Sequence, residues 1–472
     1  MKLAAVVLAA GLGTRMKSSL PKVLHPLFGR SMVQYVVEAL LALGAEKTIV
    51  VTGPNGDGIR NALQDCPVSF AVQKEPRGTG DALKAAAAKL RGFRGTVLVV
   101  SGDTPLVKAA TLNAFLKLHS KNRLELSLIS FVAEGPHSYG RIIRTGKKLG
   151  AIIEDKNASE EQKRIREVNS GIYAIEHHLL KLLNKIPVDR VKGEYYLTDM
   201  VGLSVAAGCR TGAFRLGNER ELTGINTRED LYRATHYLKD EIIDGFMEKG
   251  VRFIDKPSVF IDPEASIGVE TVIYPNVHIE GRTSVGRRCV VYSNSRITDS
   301  TIGDNVIIKD STVIESSSVE EGASVGPFAH IRPGSIIGRH ARIGNFVEVK
   351  KSVIGRGTKA SHLSYLGDAE IGEQVNIGAG TITCNYDGKT KHKTLIGSNA
   401  FIGSDTQFVA PVTVGEGAYV GAGSTITKDI PPLALAISRT AQQNIEKWAV
   451  KRQNRRGEKP ETTRGKKSKA RD

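Results

Sequence analysis

The sequence predicts an α/β domain followed by a parallel β-helix, and three features carry that expectation. From about residue 265 to 427 an aliphatic side chain recurs at every sixth position. Ile267, Ile273, Ile279, Val285, Val291 and Ile297 keep the step, which resumes after a one-residue stutter at Ile302, Ile308 and Ile314. Val325, Ile331, Ile337, Ile343 and Val349 continue it, and Ile402, Phe408, Val414, Val420 and Ile426 close it. Upstream, apolar strand-like runs such as Lys47 to Thr52 and Thr96 to Ser101 alternate with helical stretches in α/β fashion. Between the two regions, Thr227 and Asp230 form a capping-box-like start to a helix that runs to about Lys249, with Gly250 as its stop.

A step of six matches neither the helical period nor simple strand alternation. It matches a short flat strand and a tight corner, where glycine or asparagine takes the positive φ the corner asks for. At three hexads per coil the span gives about nine coils, a prism roughly 43 Å tall at the usual strand spacing. The connecting helix is roughly 33 Å long at ~1.5 Å per residue, with Leu231, Ala234, Leu238, Ile242 and Phe246 as its apolar face. Pro431-Pro432 ends the hexads, and a short helix is expected around Ala441 to Val450, which carries Trp448.

With 472 residues, two or more domains are expected. Their division reads as 1–226, the linking helix 227–250, the hexad domain 251–450 and a tail 451–472. No apolar run reaches the length of a membrane span, and Met1-Lys2 leads straight into a strand-like stretch instead of a signal peptide. The scattered Cys66, Cys209, Cys289 and Cys384 argue for a reducing cytoplasm and against a zinc site or disulfide framework. Of the formal net charge of +17, the tail from Lys451 supplies +7, ten Lys/Arg against three Asp/Glu. The tail lacks apolar periodicity and reads as solvated chain. The remaining charge suits phosphorylated small molecules better than nucleic acid.

The first apolar run ends in LAAGLGTRM, Leu8 to Met16, with LPKVL following at Leu20 to Leu24. A Walker loop needs glycine-lysine where Met16 and Lys17 stand, and the dinucleotide fingerprint needs glycine at Met16, so the loop is neither. It still delivers backbone amides to a phosphate. Asp103 ends another apolar strand, where ligands of open α/β sheets gather. In QKEPRGTGDAL, Gln73 offers an amide suited to a uracil edge, and Gly78-Thr79-Gly80 a close backbone approach. SYGRI, IIEDKNA, VNSGIY, EYYLTD and TGIN follow in that order. In the second half, ASHLSYLGD (Ala360 to Asp368) and CNYDGKTKHKT (Cys384 to Thr394) interrupt the hexads between Lys359 and Thr394, where chemistry is expected.

Over residues 1 to 450 these motifs, in this order, resemble the bifunctional bacterial N-acetylglucosamine-1-phosphate uridylyltransferase and glucosamine-1-phosphate N-acetyltransferase family. The resemblance implies a Rossmann-like nucleotidyltransferase domain, a left-handed β-helix and a homotrimer packed along the repeats. It matches Leu8, Ala9, Ala10, Gly11, Arg15 and Lys22 to the UTP loop and phosphate cations, and Gln73, Gly78 and Thr79 to the uracil segment. Gly140, Glu154 and Asn169 match the sugar-binding positions, and Asp103 and Asn226 the Mg²⁺ ligands. Ser101, before Gly102-Asp103, departs from the bulkier or amide residue common there. In the repeat domain His362 matches the proton acceptor. Arg332, Lys350, Tyr365 and Asn376 match the glucosamine-1-phosphate site, and Ala379, Asn385, Tyr386, Ser404, Ala422 and Arg439 the acetyl-CoA site. A histidine ordinarily titrates near 6.5, which suits taking a proton from the sugar amine. The alternative is a single-activity sugar-1-phosphate nucleotidyltransferase whose repeats only oligomerise; intact residues at His362, Lys350 and Asn385-Tyr386 speak against it.

Overall fold

Leu3–Leu8 alternates its side chains between two buried layers: Ala4 and Val6 enter one core, Leu3, Ala5 and Val7 the other. In the computed structural model, which describes residues 2–455 apart from 12, 135–136, 147 and 190–192, this strand is central to a twisted sheet. Its order is Thr211–Arg215, Leu126–Val132, Glu167–Glu176, Thr96–Ser101, Leu3–Leu8, Lys47–Thr52, Ser69–Val72. Every pairing along it is parallel except those of Glu167–Glu176, which runs antiparallel to both neighbours. Leu8 and Ser101 pair at the carboxyl ends of adjacent parallel strands, so the loop after Leu8 and Gly102-Asp103 emerge side by side. A hairpin, Arg141–Thr145 with Lys148–Ile153, joins through Val168↔Arg141. Leu12 and the expected solvated tail from residue 456 lie outside the described residues.

The connecting helix spans Arg228–Glu248, with Thr227 as cap, a closed capping box to Asp230, and Gly250 at φ 88° beyond its end. Its buried face is Ala234, Lys239, Ile243 and Phe246, so the expected face is rotated: Ile243 replaces Ile242, and a lysine is included. Lys239 tolerates burial because its ammonium donates to the Pro257 carbonyl at 2.8 Å and lies over the Phe260 ring. Phe28 packs against Phe260, and Arg30 bridges Glu38 and Glu264. These contacts bind the α/β domain, the helix and the first coils into one compact unit, 1–300; the second unit is 301–472.

Within the first unit, the array starts before residue 265, with Arg252–Phe253 under Val272–Ile273 and Phe260–Ile261 under His278–Glu280. In the second unit, three parallel sheets climb from Thr301–Ile302, Ile307–Ile308 and Val313–Glu315 to Val412–Val414, Leu435–Ala436 and Thr425–Ile426. The array thus reaches past both ends of the expected span. Every aliphatic residue of the hexad series is buried. The interruption is shorter than expected: Ala360, Leu366, Ile371, Ile377 and Thr383 keep the inward column, and only Asn385 to Lys393 leaves the ladder. A small Ala360 and a polar Thr383 had hidden the step from an aliphatic count. The last helix is Trp448–Arg455, starting later than expected because Lys447 adopts φ 56° just before it.

The glycines that follow ladder residues are not the corner residues. Positive φ falls two positions later, on Glu270, Asn305 and Phe346 among others. Gly268 and Gly344 are required by the next coil, since a Cβ there would stand 2.7 Å from the Gly286 backbone and 1.9 Å from the Ser361 carbonyl oxygen.

Glu167 anchors the antiparallel strand. Burial pushes its pKa up, but bonds from Arg144, Arg215 and Ser130 prevail and lower it to about 2. A depressed carboxylate contributes stability that is full above its unfolded pKa near 4.5 and lost as pH falls toward 2. Glu167→Gln is therefore expected to lower stability at pH 7 and to flatten acid unfolding below pH 4.5, measured by urea titration at stepped pH. An unchanged pH profile would remove this role from Glu167.

Candidate active sites

Four side chains from three distant parts of the α/β domain converge at the sheet's carboxyl edge. Lys22 sits on a single turn, Lys22–Leu24, and its ammonium contacts both the Asp103 carboxylate and the Asn226 amide oxygen. Arg15 donates to the same Asn226 oxygen at 2.8 Å. Asn226 is fixed by Asn226 Nδ2 donating to the Gly224 carbonyl, and the Ile225 amide donates to the Asp103 carbonyl. The two oxygens therefore converge on the Lys22 ammonium. Carboxylate plus amide is a hard-oxygen pair that suits a divalent cation retaining water. Among the described residues no group of three or more His, Cys, Asp or Glu offers a fuller cage.

Arg15, Lys22 and Asp103 border a cavity of about 490 Å³, together with Leu8, Ala10, Gly11, Gln73, Gly78, Thr79 and Ser101. Gly102 cannot carry a Cβ without crowding Leu8 O and Ala9 at about 3.2–3.3 Å, which brings strand end and loop together. Gly78 takes φ 92°, and a Cβ there would meet Tyr195 O at 2.6 Å. Gln73 is buried, lines the cavity and donates its amide nitrogen to Gly78 O and Asp81, which leaves its oxygen as the remaining acceptor. Glu154 accepts from Thr198 at 2.8 Å, and Asn169 donates to Tyr173 and has its backbone amide on Gly140 O. Thr198 and Tyr196 were within the EYYLTD motif but had not been given roles.

In the second unit, His362 ends strand Lys359–His362, in register with Asn345 one coil below. His362 Nδ1 lies 2.6 Å from the Asn345 side-chain oxygen, an acceptor. Nδ1 therefore carries the proton, and Nε2 presents a lone pair. Asn376 stands on the same sheet, two strands above Asn345. Arg332, Lys350 and Tyr365 stand on the adjoining sheet, Arg332 beside Lys350 and Glu348 beside Tyr365. Arg332 is held by Glu348 at 2.8 Å. Asn385 donates to Asp368, and Ala379 O accepts from the Asp405 amide. A cavity of about 400 Å³ joins Asn376, Ser404 and Ala422 over a floor of Phe401, Tyr419 and Leu435. Arg439 reaches the Ala422 carbonyl at its rim.

Two residues here escaped sequence reasoning. Asn345 is 17 residues before His362, whereas Asn276 and Asn294 stack at a step of 18, so no fixed step finds it. Lys391, in the excursion, lies against Lys350, whose contact and like charge push the Lys391 ammonium below the ordinary lysine range.

The comparisons agree with this two-part arrangement. A family model for the MobA-like NTP transferase domain matches residues 5–164, and one for the bacterial transferase hexapeptide (six repeats) matches 316–351 and 393–428. "Bifunctional protein GlmU" of Thermodesulfovibrio yellowstonii is 50% identical over 448 residues, 95% of this chain and 99% of that protein. Those of Syntrophotalea carbinolica and Heliobacterium modesticaldum are each 47% identical over 95% of this chain, covering 97% and 98% of their own lengths.

Asn345→Ala should free the His362 ring to adopt the wrong tautomer. Acetyl transfer is expected to fall by about ten- to a hundredfold, with uridylyl transfer unchanged, in steady-state assays of each half reaction. Full acetylation by this variant would show that Asn345 does not orient the base.

Proposed function

The chain belongs to the family of the bifunctional GlmU proteins, and on that premise we propose how its residues divide two consecutive transfers. It is a Rossmann-like nucleotidyltransferase domain followed by a left-handed β-helix of hexapeptide repeats. It is a bifunctional enzyme of UDP-N-acetylglucosamine biosynthesis. Acetyl-CoA acetylates glucosamine-1-phosphate, and UTP then uridylylates N-acetylglucosamine-1-phosphate with release of pyrophosphate.

For uridylyl transfer, the observation that carries the assignment is the meeting of Lys22, Arg15, Asp103 and Asn226 at one strand end. The sugar-phosphate oxygen attacks the α-phosphorus and the bond to pyrophosphate breaks, so the protein's task is positioning and charge neutralisation. Lys22 and Arg15 offset the phosphate charge. The free oxygen of Gln73 accepts from the uracil imino N–H, and Glu154, Asn169 and Gly140 hold the sugar. Asp103 and Asn226 would hold Mg²⁺, which supplies charge neutralisation on the triphosphate.

For acetyl transfer, Nε2 of His362 takes the proton of the sugar amine as its nitrogen attacks the thioester carbonyl. The carbon–sulfur bond then breaks, and the CoA thiolate is reprotonated. Arg332, Lys350, Tyr365 and Asn376 take the phosphate and sugar. Ala379, Asn385, Tyr386, Ser404, Ala422 and Arg439 take acetyl-CoA, and backbone N–H groups near Tyr386 stabilise the oxyanion.

The sugar residues lie on two sheets of one prism, so a neighbouring copy would complete the site. Phe328, Phe346 and Leu363 form an exposed apolar column at one corner, the two rings stacked 5.4 Å apart. We assign that column to a homotrimer contact. Among the described residues no helix is long and apolar enough to cross a membrane. A cytoplasmic location is part of the same reading, as is the functional division at 226, 250 and 450.

Purified protein should run as a trimer by light scattering at micromolar concentration; a monomer with full acetylation would count against the shared site. The two chemistries should separate by single substitutions. His362→Ala should lower acetyl transfer by at least about a hundredfold and leave uridylyl transfer nearly unchanged. Asp103→Ala should do the reverse, since the two sites share no partner. Loss of both activities from either substitution in a folded trimer would refute the two-site reading.

A further inference from the structure

Where the chain leaves the prism at Asn385, it has no apolar core to shape it. Tyr386 is 60% exposed, and Asp387 to Lys391 lie in solvent. The segment is nonetheless a closed small hairpin. Tyr386 and Lys391 form an antiparallel bridge, the Asp387 amide donates to Thr390 O, and the His392 amide donates to Asn385 O at 2.8 Å. Gly388 takes φ 95° at the turn, and the Tyr386 hydroxyl donates to its carbonyl. A hairpin this short is marginal in water unless something else fixes it.

That fixing group is a single carboxylate. Asp387 accepts from the amides of Lys389 at 2.8 Å and Thr390 at 2.7 Å, from the Thr390 hydroxyl at 3.0 Å, and from His392 Nε2 at 2.7 Å. The Thr390 amide, the His392 ring and the Lys389 amide hold its pKa far below the usual carboxylate range, so the acceptor stays charged at working pH. The clasp links the two ends of the excursion, because His392 also donates its backbone N–H to Asn385. Asn385 is itself tied to Asp368 on the prism.

We propose that Asp387 is a positioning residue for acetyl transfer: its clasp with Thr390 and His392 fixes the backbone of Asn385 and Tyr386 where the thioester reacts, an assignment that rests on the acetyltransferase reading above. Oxyanion donors act only when held before the charge develops. Misplacement of about 1 Å is enough to cost up to a hundredfold in rate. A device that pre-organises these donors therefore acts on turnover more than on capture of the sugar phosphate, which Arg332, Lys350 and Tyr365 hold from the prism.

The test uses the full chain and compares Asp387→Ala, Asp387→Asn, His392→Ala and His392→Gln in both half reactions. An asparagine oxygen still accepts from the two amides, and a glutamine nitrogen still donates to Asp387. For Asp387→Ala and His392→Ala the acetyl kcat is expected to fall by about ten- to a hundredfold, while KM for glucosamine-1-phosphate stays within about threefold. The Asn and Gln variants should recover most of the loss. Uridylyl turnover and trimer mass should match the parent in all four, which certifies folding. Equal impairment of Asp387→Ala and Asp387→Asn, or an Asp387→Ala turnover within about twofold of the parent, would overturn the proposal. A parent chain that transfers no acetyl group would overturn the underlying reading and this inference with it.

Discussion

Coil-on-coil pairing of a nearly flat backbone is the constraint on which the repeat domain depends. Each coil hydrogen-bonds only to the coils above and below, so a residue's decisive neighbour is one coil away in sequence and one strand spacing away in space. That rule stacks the aliphatic column, with Ile331 over Ile314 and Val349 over Ile331. It excludes any Cβ at Gly344, where the Ser361 carbonyl would collide. It also builds chemistry. His362 meets Asn345, Lys350 meets Arg332, and Asn385 meets Asp368 because each pair stands on successive coils. The apolar inside and the polar outside are products of one register.

The α/β domain obeys a different rule to the same end. Its central strands are buried on both sides, so they carry no reactive groups along their length. Functional groups are confined to where the parallel strands stop. Leu8 and Ser101 stop together, and the backbone turns that follow place Gly11, Lys22 and Asp103 around one cavity. Asn226 is brought there from the approach to the connecting helix, whose capping box also receives the Asn226 amide on Asp230. The helix start and the Asn226 position are thus one piece of structure.

Much of this was legible in the sequence. The step of six survives because burial in a narrow prism accepts little besides Ile, Val and Leu, and the capping box survives because its two bonds need Thr227 and Asp230 at fixed spacing. The nucleotide loop was legible as a motif, and the connecting helix by its stop signals. Contacts across coils were not, since coils of 17 and 18 residues are mixed without a fixed order and a partner such as Asn345 has no local signature. The face of the connecting helix was misread at Ile242 because the sequence gives no hint that Lys239 is buried; its acceptor, Pro257 O, is a backbone atom. The step itself was counted only from Ile267, within a domain placed from 251, because Arg252–Phe253 does not fall on it, although Ile261 does. The shortness of the interruption was hidden by Ala360 and Thr383, whose small volumes fill inward positions that elsewhere hold branched side chains.

The pairing of Lys22 with Asp103 has a further consequence for how the nucleotide site works. Both side chains are largely shielded from solvent, with side-chain exposures of 13% and 12%. A lone carboxylate at that depth would carry a desolvation cost of several kcal/mol, or would take up a proton. The ammonium removes that cost while the site awaits substrate. Lysine suits this better than arginine would: a point charge on a flexible stem can leave one oxygen for another, whereas a planar fork is committed to its partner's geometry. On the proposed assignment, a triphosphate arriving with its cation would let Lys22 turn from the carboxylate to the phosphates without leaving either charge uncompensated. Arg15 is held by the Asn226 oxygen beside this pair and adds a second positive charge at the same place.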